Sequence, residues 1–287
     1  MTTPTGGALP PFRRLRLGRV LRRLREERGL TQEQAAQHIG VTDDRISRAE
    51  KGRSKIDIPM LRALLDAYGV KDQDLRSALE EIARSAAKRG WWLTHQSSLL
   101  AAFADFLGLE EDATGLSIWE STLIPGHLQT REYARALLQG GVGIVHSSVE
   151  RAEDLVQVRM ERQRLLEGEK PLRLSVVLGL PALQSGIGGA DVMRRQIQHL
   201  LVQSKSPTIE LQVLHPEKTG AHAGLDGAFT IFSFPDGGSL ASIETLVTTL
   251  YVDDDNSVAA YRCAHDQLKR LALTPAATQE LLAELTR

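Results

Sequence analysis

One cysteine, Cys263, stands in a chain of 287 residues. Alone it can close no internal disulfide and build no zinc–thiolate cluster, so the reducing cytoplasm is the expected compartment. No apolar run reaches the roughly 18 residues that a membrane-spanning helix needs. The N-terminal stretch lacks the apolar core of a secretory signal. Metal-ligand spacing is scarce as well. His215 and His222 flank a glycine-containing loop with Glu217, but helical spacing and a third clear ligand are missing. No serine lies in a nucleophile-elbow sequence. The glycine-rich helix start Gly186-Ile187-Gly188-Gly189 lacks both the lysine–hydroxyl pair of a phosphate loop and the full dinucleotide spacing. Internal repeats and low-complexity tracts are absent. These gaps point away from an enzyme, a metal site and a bound cofactor.

Hydrophobic content of 42% and charged content of 25% are ordinary for a globular protein. The length suggests about two domains. A net charge of −1 hides an asymmetry. Through Arg89 the chain holds 19 Lys/Arg against 12 Asp/Glu, and the remainder holds 16 against 24. A basic half joined to an acidic half is expected when only the first meets phosphate.

The stretch Thr31–Gly52, TQEQAAQHIGVTDDRISRAEKG, has the pattern of two short helices joined by a tight turn. Thr31 with Gln34 three residues later is a capping-box signal. Ala35, Ala36 and Ile39 give the first helix a narrow apolar face, small enough for close crossing. Gly40 stands where the turn needs positive φ. Thr42 can cap a second helix, with Asp43 and Asp44 in the first turn, where the helix dipole favours negative charge. Ile46 and Ala49 point one way; Arg45, Ser47, Arg48 and Lys51 point the other. A helix so divided can lie in a DNA major groove.

Before it, 12–28 reads as a basic amphipathic helix. Leu17, Val20, Leu21 and Leu24 face inward, and Arg13, Arg14, Arg16, Arg19, Arg22 and Arg23 crowd the rest. After it come a basic loop with Arg53 and Lys55, a helix capped by Asp57, and a further helical pattern over 71–88. The expected organisation is a disordered tail at 1–11, a DNA-binding domain at 12–70, a linker helix at 71–90 and a second domain at 91–287.

From about Leu17 to Tyr68 the chain resembles the lambda-repressor-like (Cro/cI) helix-turn-helix family, most closely in ISRAEKGRS. The resemblance implies that Asp43, Asp44, Ser47 and Arg48 meet base edges and that Gln32 and Thr42 touch the sugar-phosphate backbone. Arg45, Lys51, Arg53 and Lys55 are the expected phosphate ligands. It further implies that Arg25 and Glu50 form a salt bridge joining the first helix to the end of the recognition helix. Double-stranded DNA is then the partner, and a homodimer would offer two such helices to two half-sites.

Beyond Trp91 and Trp92, which are read as anchors of a second core, helical patterns precede an alternation of strand and helix. Strands are expected at 172–180 and 208–215 around a helix at 190–204, a parallel β-α-β unit. Strands at 228–234 and 239–245 flank a Pro-Asp-Gly-Gly hairpin signal. Helices follow at 257–271 and 275–285. The fold class is therefore multidomain, with an all-α N-terminal domain followed by an α/β (α+β) domain whose start is helical and whose sheet is small and mixed.

The motifs IWESTLIPGHLQTREYARALL, RMERQRLL and GGADVMRRQIQHLL make this half similar to the C-terminal domain of actinobacterial, WhiJ-like or antitoxin-like regulators. That resemblance implies a cytoplasmic, nucleoid-associated regulator without membrane contact, and a possible small partner protein encoded nearby. His127 stands where leucine is usual, and 178–183 lacks an acid often found there. Trp119, Glu120, His127, Gly188 and Gly189 are the candidate ligand or partner residues. Glu120, His127 and Glu244 form either a polar network or an acid–base group in a cleft. A nucleotide-like ligand at the glycine-rich turn is a further reading. Cys263, inside a helical pattern, is expected to be packed.

Overall fold

Residues 12–85, 101–144, 148–215, 220–246 and 249–287 are described by a computed structural model. The expected N-terminal tail, Trp91, Trp92 and Glu217 lie outside them. The chain divides into two units, residues 1–93 and 94–287.

Among the described residues the first unit holds five helices: α1 (Phe12–Glu27), α2 (Gln32–Ile39), α3 (Asp43–Glu50), α4 (Ile58–Ala67) and α5 (Gln73–Ser85). The local signals are realised. Gln34 N–H donates to the Thr31 hydroxyl at 3.1 Å, and Thr31 N–H donates back to the Gln34 side chain at 2.9 Å. Gly40 closes α2 with φ of 69°. The Asp57 carboxylate caps α4 by accepting from Met60 N–H at 2.9 Å. Leu21, Ala35, Ile46, Leu61, Leu64 and Leu65 are fully buried in one shared core.

Helix α5 departs from the linker role expected for 71–90. Leu79, Ile82 and Ala83 belong to that same core. Glu80 accepts from Arg62 at 2.7 and 2.9 Å and from Arg84 at 2.6 Å. Burying a leucine or isoleucine stabilises by about 1.5–3 kcal/mol, whereas pairs in which Glu80 is buried but Arg62 and Arg84 stay about half exposed contribute less than that, because solvent screens the guanidinium ends. The apolar contacts therefore hold α5 in place, and the charges set its register.

The second unit begins with α6 (Ala101–Asp112) and β1 (Gly115–Glu120), followed by α7 (Arg131–Gln139), α8 (Val149–Arg162) and β2 (Arg173–Gly179). It continues through α9 (Leu180–Gln184), α10 (Ala190–Gln203), β3 (Ile209–Leu214), β4 (Phe229–Ser233), β5 (Ser239–Glu244) and β6 (Thr249–Val252), and closes with α11 (Asp255–Leu271) and α12 (Pro275–Leu285). One six-stranded sheet has the order β3-β2-β1-β4-β5-β6. β1, β2 and β3 are parallel, and β4, β5 and β6 are antiparallel. The mixed sheet, the parallel β2/β3 pair and the β4–β5 hairpin accord with the expected fold.

Two strands lie outside the expected set, β1 and β6. Central β1 is paired with β2 on one side and β4 on the other. It is a strand because partners far along the chain satisfy its backbone. β6 is a four-residue edge strand with one paired side.

Helix α11 covers one face of the sheet, where Trp119, Val177, Phe229, Ile231, Ala241 and Leu268 form a core. Phe232, which alternation turns to the opposite face, meets Phe106 of α6 edge-on at 5.3 Å between ring centroids. Cys263 is exposed, contrary to expectation. The buried face of α11 runs through Val258, His265 and Leu268, and the cysteine lies off it.

Candidate nucleic-acid interface

Thr42 starts α3 by accepting from Arg45 N–H at 3.3 Å, and Ile46, Ala49 and Glu50 form its buried seat. Thr42, Asp43, Asp44, Arg45 and Arg48 are exposed on the other side, and Ser47 is half-buried. Lys51, Arg53 and Lys55 continue the exposed basic run beyond the helix. Arg48 and Asp44 pair at 2.7 Å with side chains 57% and 67% exposed. Such a pair contributes little to stability, so a guanine edge can displace the carboxylate from the guanidinium at small cost.

The seat depends on one buried ion pair. Arg25 donates to both Glu50 oxygens, at 2.6 and 3.0 Å, and to the Leu30 carbonyl at 2.7 Å. Hydrogen bonding to Glu50 raises the Arg25 pKa further. Gln32 belongs to this cluster, since its amide donates to Glu50 at 2.8 Å. It is half-buried and, in the protein without DNA, braces the seat of α3 through that bond.

The arginines of α1 are not equivalent. Arg19, Arg22 and Arg23 are exposed, whereas Arg16 is buried. Arg22 pairs with Glu26 at 2.8 Å and Arg23 with Glu27 at 3.7 Å, so part of this positive face is already answered.

Two glycines place α1 against α3; Gly18 was not among the expected site residues, and Gly52 was expected only as part of the basic, phosphate-facing loop. A Cβ on Gly18 would stand 2.5 Å from both the Ala49 and Glu50 carbonyl oxygens. Gly52, with φ of 66°, would meet the Leu15 backbone at 2.8 Å. A glycine inside a helix costs roughly 1 kcal/mol against alanine, which was the available clue at position 18. Gly18→Ala recovers that amount but forces two backbones apart, at a cost of about 1–3 kcal/mol. Net destabilisation in urea unfolding is expected, together with weaker DNA binding from a displaced α3. A variant more stable than the parent would refute the close crossing.

The candidate residues of the second unit do not form one site. Trp119 is a core residue; its indole N–H donates to the Gly224 carbonyl at 2.9 Å, and its ring meets His222 edge-on. Glu120 follows it in β1 and so faces the other side of the sheet. His127 is buried in a 3-10 turn (Gly126–Leu128), 3.2 Å from Glu110. Burial and the nearby Arg162 guanidinium hold its pKa well below 6.5, so it is neutral. Glu110 accepts from Arg162 at 2.7 and 2.5 Å.

Gly188, with φ of 75°, brings the start of α10 close to α7, since a Cβ there would meet Val192 and Ala136 within 3.0 Å. Gly189, with φ of 87°, precedes α10 as its cap. Among the described residues, no group of three or more His, Cys, Asp or Glu is placed to hold a metal ion. No described helix is long and apolar enough to cross a membrane.

A helix-turn-helix domain model matches residues 16–79, spanning α1 to the middle of α5. No curated protein and no solved structure matches the chain. A second model, described as a domain of unknown function (DUF5753), matches residues 103–284, more than half of the chain and nearly all of the described second unit. With a helix-turn-helix domain ahead of that mixed-sheet unit, the chain belongs to the DUF5753 family.

Proposed function

We propose that this protein is a sequence-specific DNA-binding transcriptional regulator that lays α3 in the major groove. The observation that carries this reading is the division of α3 itself. Ile46, Ala49 and Glu50 are buried, while Asp43, Asp44, Arg45 and Arg48 stand exposed beside Lys51, Arg53 and Lys55. Arg48 is the guanine reader, because its planar fork matches O6 and N7. Lys51, Arg53 and Lys55 neutralise phosphates and fix register without reading sequence. One eight-residue helix buries little DNA surface, so the protein acts as a homodimer on half-sites about 34 Å apart.

Binding of the full-length protein to its selected operator, measured across salt concentrations, tests this assignment. Arg48→Ala is expected to lose about 1–3 kcal/mol of discrimination at one base pair. Lys51→Ala is expected to weaken all sequences alike and to flatten the salt slope by about one unit. Unchanged base preference in Arg48→Ala, or a sequence-selective loss in Lys51→Ala, would reverse these roles.

A further inference from the structure

Helix α11 carries Ala260 and Ala264 one turn apart, with Tyr261 beside the first. Side chains so small leave space between the helix and the sheet. That space is a pocket of about 300 Å³, lined also by Phe229 of β4, Ile243 of β5 and Asp226. The Phe229 and Tyr261 rings meet edge-on, with 5.1 Å between their centroids.

The remaining wall is a 3-10 turn (Ala223–Asp226), and it is pinned from two directions. The Trp119 indole N–H donates to the Gly224 carbonyl at 2.9 Å, and a Cβ on Gly224 would stand 2.6 Å from that ring. On the other side, the Ala223 N–H donates to the Gln267 side chain of α11 at 3.3 Å. The Gly224 N–H donates to His222 Nδ1 at 3.1 Å. A single turn cannot fix itself, so these bonds hold Asp226 at the pocket before any ligand arrives. Less ordering is then left for binding to do. Trp119 thus supports the pocket without lining it.

Asp226 is exposed, and among the described residues its carboxylate has no hydrogen bond or ion pair. No lysine, arginine or histidine is among the described residues that line the pocket. This composition favours one sign of charge. An anion is repelled by Asp226. A neutral molecule gains from burial of its apolar surface and from little else. A cation gains the carboxylate and the negative faces of the two rings as well. The volume is at the low end for ligand sites, too small for a nucleotide or a large cofactor.

We propose that this pocket binds a small organic amine, its apolar body against Phe229, Ile243 and Tyr261 and its ammonium at the Asp226 carboxylate. Ala260 and Ala264 make the room, and the pinned turn presents the charge. The second unit is on this reading a small-molecule sensor, an activity separate from the DNA contacts of the first.

The test uses the full-length protein without DNA, so its outcome is independent of the DNA-binding reading. Phenethylamine, cyclohexylamine and n-hexylamine are screened by thermal unfolding and titrated by calorimetry. Their controls are 2-phenylethanol, cyclohexanol, 1-hexanol and 3-phenylpropanoate. At least one amine is expected to bind, its alcohol about tenfold or more weakly, and the carboxylate more weakly still. Asp226→Asn should bring the amine down to the affinity of its alcohol and leave the alcohol unchanged. Ala260→Phe should fill the pocket and abolish binding of both. Both positions are exposed, so neither change disturbs the core. Failure of every amine to bind, an alcohol binding as tightly as its amine, or unchanged amine affinity in either variant would each overturn the proposal.

Discussion

Replacing Glu50 with alanine is expected to destabilise the N-terminal unit by about 3–5 kcal/mol, the range for breaking a buried ion pair from one side. Glu50 is 6% exposed and takes three charge-assisted or amide hydrogen bonds, two from Arg25 and one from Gln32. The alanine leaves the Arg25 guanidinium, 7% exposed, without its carboxylate. Domains of this size have about 5–15 kcal/mol of stability in total, so the unit would be largely unfolded at moderate temperature. Chemical denaturation of full-length protein, followed by a helix signal, measures the effect. Because Glu50 is also the last residue of α3, DNA affinity should fall with the folded fraction. An unchanged unfolding midpoint would remove the pair from the structural account of the recognition helix.

The second large effect is expected for Arg162→Met. Glu110 is 1% exposed and receives both prongs of Arg162, whose guanidinium also lies 5.3 Å from the centre of the Phe106 ring. Methionine keeps the apolar length and removes the charge, again a loss of about 3–5 kcal/mol near neutral pH. The pH dependence has a definite sign. Burial already pushes the Glu110 carboxyl up to about 7 against the opposing pull of Arg162. Without the guanidinium it rises further, and the unfolded group remains near 4.5. A folded-state pKa above the unfolded one means stability that is full below the unfolded value and lost as pH rises through the folded one. The variant should therefore lie closer to the parent at pH 5 than at pH 8. Glu110→Gln in the same background should recover part of the loss at the higher pH. A deficit that grows on acidification would contradict the buried pair.

The features read from sequence were those carried by residues within about four positions of one another. Thr31 with Gln34, Gly40, Thr42, and the spacing of Ile46 and Ala49 are all local, and the capping bonds and the left-handed glycine are present as expected. The strands β2, β3, β4 and β5 were readable because each is bounded by its own turn signals. β1 was not read as a strand although Pro125-Gly126 follows it, because it joins the sheet through partners far along the chain, at 173–178 and 229–233. Periodicity over 71–88 puts Leu75, Leu79, Ile82 and Ala83 on one face of α5, but which core that face meets is decided only when the chain folds.

Sequence alone determined that α3 would have a small apolar seat and an exposed basic side, because helix periodicity and end-capping are set by neighbours along the chain. Only tertiary structure decided which charges are answered. Arg162 is paired with Glu110, whereas Arg159, three residues away in the same helix, has among the described residues a hydrogen bond to the neutral Gln129 side chain. Gly18 became a crossing point, and Gln32 turned inward to Glu50. Ion pairing and desolvation depend on distance through space, and the chain brings those partners together only when it folds.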